Sequence, residues 1–167
     1  SDDAFGLWAP AQSFTTLCGA VREYPWAEDF SAMDAGDFSQ PCWTNTHIAG
    51  SGTAIFSVVT SAVGGNRTEK LTLPSMSAGN KVALGLPQMD IAMANEFVIS
   101  LDVYRASASS SSHPSEGIRI YVSTTTELDT ATAAMLAFIP REYAVSGKNV
   151  SIEPSAGWYT YSFTIPT

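Results

Sequence analysis

The stretch Phe97-Val98-Ile99-Ser100-Leu101-Asp102-Val103 puts Phe97, Ile99, Leu101 and Val103 on one face of an extended chain and Ser100 and Asp102 on the other. Period-two alternation of this kind is the mark of a strand buried on one side. The pattern returns in Ile118, Ile120 and Val122 against Arg119 and Ser123, and again in Tyr159, Tyr161, Phe163 and Ile165 against Thr160, Ser162 and Thr164. Aromatic and β-branched residues on the apolar faces suit two sheets packed over one core. The expected interior residues are Phe97, Ile99, Leu101, Ile118, Ile120, Tyr161 and Phe163.

Shorter runs predict strands over 54–59, 69–73, 81–86 and 134–139, with weaker signals over 13–21 and 149–153. Turn chemistry separates them. Gly64-Gly65-Asn66, Ala78-Gly79-Asn80 and Ser146-Gly147-Lys148-Asn149 tolerate positive φ, while Pro74, Pro87 and Pro140 close strands they cannot continue. The one helical suggestion is Glu127–Ala134, about two turns, read as a connection. The Ser-rich stretch from Ala106 to Ser115 lies between two strong strands and is too polar to bury, so it is expected to be an exposed loop. Seven to nine strands without a long amphipathic helix between them argue for an all-β, antiparallel, jelly-roll-like β-sandwich rather than a βαβ sheet.

The chain has 167 residues, of which 45% are hydrophobic, enough for one core without metal or multiple disulfides. Charged residues are 14% of the chain against roughly 25% in typical soluble proteins. The net charge is −8, and no basic run exists that would neutralise a phosphate backbone or an anionic bilayer. Nucleic acid is therefore not an expected partner, and neither is a membrane surface. No apolar stretch approaches the roughly 18 residues a spanning helix needs, so direct membrane insertion is not expected either. The chain opens on Ser1-Asp2-Asp3, which reads as a piece of a longer exported protein. The two cysteines, Cys18 and Cys42, have no CxxC and no histidine at zinc spacing. Their chemistry leaves a disulfide or two buried free thiols.

For catalysis the chain offers His47 and His113, neither near a nucleophile motif, and it contains no HExxH, Walker loop or GxGxxG. No catalytic residue is assigned. The carboxylates that cluster are Glu28, Asp29, Asp34 and Asp37. They sit in one short stretch, whereas glycosidase pairs face each other across a cleft. Hard oxygen ligands on a loop suit Ca²⁺ better, with a plain solvated acidic loop as the alternative. Trp8, Trp26, Trp43 and Trp158 are read as core fillers, with sugar stacking as their alternative role.

The run Cys18-Gly19-Ala20-Val21-Arg22-Glu23-Tyr24-Pro25-Trp26-Ala27-Glu28-Asp29-Phe30, followed by Cys42-Trp43, resembles the opening of MAM-like jelly-roll modules. These are the cleaved-adhesin or choice-of-anchor type found in exported Bacteroidetes proteins. Leu71-Thr72-Leu73-Pro74, Ile118-Arg119-Ile120-Tyr121-Val122-Ser123-Thr124-Thr125 and Trp158-Tyr159-Thr160-Tyr161-Ser162-Phe163 are similar to later strands of that family. The resemblance covers about Thr16 to Pro166. It divides the chain into a lead-in over 1–15 and a jelly-roll binding module over 16–167.

What the resemblance implies is a non-catalytic adhesion or protein-binding module at the cell surface or outside the cell, not an enzyme. Its partner would be a host or bacterial surface protein or a glycan. A carbohydrate-binding module attached to glycan-utilisation machinery is the alternative. The resemblance also implies that Cys18 and Cys42 form a disulfide with Trp43 packed on it, and that any structural Ca²⁺ draws on Glu28, Asp29, Asp34 and Asp37. Trp26 stands where the family commonly has Tyr, and the family's closing strands would follow Thr167, leaving a sheet edge to be covered.

Overall fold

The computed structural model describes residues 18–64, 70–72, 79–92, 96–105, 114–125 and 128–165. Within them the chain is all-β, without a helix, and its ladders are antiparallel. In chain order the strands are β1 (Gly36–Asp37), β2 (Thr44–Ala49), β3 (Ser57–Val59), β4 (Lys70–Thr72), β5 (Lys81–Gly85), β6 (Phe97–Arg105), β7 (Gly117–Val122), β8 (Ala134–Pro140) and β9 (Gly157–Ile165). They pair as β1-β3-β4, β2-β5, β6-β9 and β7-β8.

The two sheets read from alternation form the core. β6 and β9 pair along nine residues, from Phe97 opposite Ile165 to Arg105 opposite Gly157. Their inward residues Ile99, Leu101, Val103, Tyr159, Tyr161 and Phe163 meet Ile118 and Ile120 of β7 and Leu136, Ala137 and Ile139 of β8. This is sheet-on-sheet packing, as the alternation predicts. Val150 and Ile152 close one side. Phe97 is the exception among the expected interior residues: it lies at the start of β6, where its ring meets the Tyr24 ring edge-on at 5.1 Å.

β8 ends on Pro140, which is fully buried opposite Gly117. A Cβ on Gly117 would lie 2.3 Å from the Ile139 carbonyl oxygen, so close strand approach and a φ of 152° both require glycine there.

Several boundaries differ from the sequence reading. The strand expected over 54–59 contracts to β3, and the one expected over 69–73 is present as β4 across its described residues, 70–72. β1 and β2 were not expected at all; β2 reads Thr44-Asn45-Thr46-His47-Ile48-Ala49, with no apolar alternation to betray it. The helix expected over Glu127–Ala134 is absent from its described part, 128–134. Asp129 folds that segment into a turn instead: its side chain accepts from Ala131 N and Thr132 Oγ1, and its carbonyl from Ala133 N. The weak strand signal over 149–153 gives no strand, although Lys148 bridges to Phe138 of β8. That over 13–21 falls mostly outside the described residues, and Val21 forms a parallel bridge with Met89.

Candidate functional site

Residues 18–43 form a lobe held by one covalent link and one ring cluster. Cys18 and Cys42 are bonded, with Cα atoms 5.3 Å apart, inside the range a disulfide needs. Trp43, next in the chain, contacts the rings of Trp26, Phe30 and Phe38 at 5.2 to 6.2 Å. Phe38 is buried. Asn45 on β2 ties the lobe to the neighbouring strands: its Nδ2 donates to the Phe38 and Phe56 carbonyls, and its Oδ1 accepts from Phe56 N.

The four predicted metal ligands do not converge. Glu28 Oε1 accepts from Phe30 N at 2.6 Å, and Asp29 Oδ1 accepts from both the backbone N and the Oγ of Ser31. These two carboxylates shape their own turn, where Phe30 takes a φ of 63°. The bonds from Ser31, first its hydroxyl and then its backbone N–H, hold the Asp29 carboxyl below its ordinary pKa. Asp34 and Asp37 border a separate open hollow beside Phe38 and Val58, and Asp37 accepts from Ser57 Oγ at 3.3 Å. Among the described residues no three His, Cys, Asp or Glu side chains come together to hold a metal. Glu28 and Asp29 each use one carboxylate oxygen in their own turn.

His47 Nε2 lies 3.4 Å from Asn80 Oδ1, a polar contact at one end of the β2-β5 ladder. His113 and Trp8 lie outside the described residues.

The surface that sequence reasoning did not single out is the outer face of the β6-β9 sheet. The register sets Val98 opposite Thr164, Ser100 opposite Ser162, Asp102 opposite Thr160 and Tyr104 opposite Trp158. The first three pairs are solvent-exposed. Their polar groups form a ladder: the Ser100 and Ser162 hydroxyls share a 2.7 Å hydrogen bond, Thr160 donates to Asp102, and Thr164 donates to Glu96 at 3.3 Å. A hydroxyl carries one donor and two acceptor lone pairs, so these bonds leave capacity for a ligand.

At one end the Tyr104 and Trp158 rings stand 5.5 Å apart, half-buried, with Trp158 Nε1 donating to the Val63 carbonyl. Gly64 follows with a φ of 61°; a Cβ there would lie 2.3 Å from the Tyr104 ring. The polar half of the alternation carries this face, and reading it would have found the surface in the sequence.

No helix among the described residues is long and apolar enough to cross a membrane. No family model, curated protein or solved structure matches the chain.

Proposed function

We propose that the chain is a non-catalytic, jelly-roll-like binding module of an exported bacterial protein, working in adhesion or protein binding at the cell surface or outside the cell. The observation that carries this reading is the exposed outer face of β6 and β9, an array of hydroxyl and carboxyl groups backed by the most regular part of the core. A rigid sheet presents such groups at fixed spacing, which lowers the ordering cost of binding. The disulfide supports an oxidising compartment.

The Tyr104–Trp158 pair beside the hydroxyl ladder favours a second reading, a carbohydrate-binding module, because sugars are held by aromatic faces next to directional polar groups.

The test applies the wild-type chain and Ser100→Arg to an array of surface proteins and to a glycan array. Protein hits lost in the variant support the first reading. Hits confined to glycans and lost in the variant favour the second. Hydrolysis of a polysaccharide or peptide, abolished by a point mutation in the domain, defeats both.

A further inference from the structure

A second surface lies along the β9 edge of the β6-β9 sheet. β9 borders an open slot of about 320 Å³ whose opposite wall is the segment from Asn149 to Glu153. Tyr161 and Phe163 point into the core and Thr160 and Ser162 point outward, yet all four line the slot. Residues of both faces line one hollow when that hollow runs along the edge of the strand, where the backbone N–H and C=O groups emerge.

Among the described residues β9 has its ladder with β6 alone. The opposite wall is tied away from β9: Lys148 pairs with Phe138, and Asn149 Nδ2 donates to the Leu136 carbonyl, both on β8. No backbone hydrogen bond crosses the slot between described residues. Tyr161, only 7% exposed, has a buried hydroxyl without a hydrogen-bond partner on this same strand. Such a group is costly to leave unmet. Among the described residues Glu153 is the one charged side chain on the slot, in a chain of net charge −8.

We propose that the slot takes an extended peptide strand of a partner protein, which adds to the edge of β9 and sets a basic side chain against Glu153. An extended backbone is the ligand that repeats donors and acceptors at the period of a strand edge, and side chains then supply specificity. The acidic balance of the chain favours a basic strand over an acidic one. The slot shares Thr160 and Ser162 with the outer face, but Ser151 and Glu153 belong to the slot alone, so variants at those two residues test it apart from the contact face proposed above.

The experiment selects random linear peptides, displayed on phage, against the whole chain. Enriched peptides are expected to carry Lys or Arg and to protect the amides of Tyr159 to Phe163 from hydrogen exchange. Methylating alternate backbone nitrogens of an enriched peptide should weaken binding by about tenfold or more, since those N–H groups form the new ladder. Ser151→Trp narrows the slot and should weaken binding similarly, and Glu153→Gln should remove most of its salt dependence. The proposal is overturned if no peptide is enriched, if binding to the wild type ignores N-methylation, or if a folded Ser151→Trp binds as before. A dimer that Ser151→Trp dissolves would assign the slot to a second copy and also overturn it.

Discussion

Residues 18–64 and the described residues of 96–165 both build antiparallel ladders, but different forces hold them. In the first region the strands have two, six and three residues, and the buried hydrophobic side chains are Phe38 and Val58. Stability there comes from a disulfide, a cluster of Trp26, Phe30, Phe38 and Trp43, and one asparagine that bonds three backbone groups. In the second region a nine-residue ladder and a face-to-face core of Ala137, Ile139, Tyr161 and Phe163 suffice. Charge does not separate the two regions: residues 96–165 contain Arg105, Arg119, Arg141 and Lys148 against Glu96, Asp102, Glu116, Glu127, Asp129, Glu142 and Glu153. Residues 18–64 contain Arg22 against Glu23, Glu28, Asp29, Asp34 and Asp37. Where the core is thin, local cross-links replace it.

Removing a side chain from the shared core should have the largest effect. Phe163→Ala deletes a ring that is 6% exposed, and truncations of that kind cost about 3–5 kcal/mol. Denaturant unfolding should show the loss in the midpoint, with hydrogen exchange rising across both regions together. If exchange rose over 96–165 alone, the two regions would be separate cooperative units, and the comparison would become a division.

Opening the disulfide probes the other side. Replacing Cys18 and Cys42 by Ser frees a loop of sequence separation 24 and should cost about 3 kcal/mol. The expected signature is regional: amides of β2, near the bridge, lose protection before those of β6 and β9. Two thiols titrating in the denatured, unreduced wild type would remove the premise. A smaller loss follows from Asn45→Ala. It strands the Phe38 and Phe56 groups and should cost about 1–3 kcal/mol, whereas Ser100→Ala on the outer face should stay within about 0.5 kcal/mol. Equal losses at the two sites would mean that the ladder is structural.

The same contrast explains what was legible in the sequence. Burial on one side of a sheet imposes alternation, so β6, β7 and β9 could be read from Phe97, Ile118 and Tyr159 onward. β8 reads as an apolar run over 134–139, and the strand continues one residue further, to Pro140. Side-chain-to-backbone bonds impose no period. Asn45 and Asp129 act through such bonds, so β2 carries no period to read and the turn at Asp129 has the pattern of a short helix. The acidic residues were found in the sequence, but their partners were not: nothing in the spacing of Glu28 and Asp29 says that their carboxylates serve Phe30 N and Ser31.

Asp29 gives the smallest and most local test. Its lowered pKa arises first from the Ser31 hydroxyl and then from the Ser31 backbone N–H. A carboxyl that is more acidic folded than unfolded stabilises the protein above its unfolded pKa, and that contribution is lost as the pH falls through the folded value. Ser31→Ala removes the hydroxyl and keeps the N–H, so an NMR titration of Asp29 should move upward without returning fully to the ordinary carboxylate value. The stability difference between wild type and variant should be present at neutral pH and vanish once Asp29 is protonated in both states. Adding Ca²⁺ should leave the wild-type titration and thermal midpoint where they are, because among the described residues no three acidic or other metal-ligating side chains converge there. A calcium-dependent fall in the Asp29 midpoint, together with a rise in Tm that excess chelator reverses, would mean that this turn opens to hold a cation; the acidic lobe would then owe part of its stability to a metal as well as to its disulfide and rings.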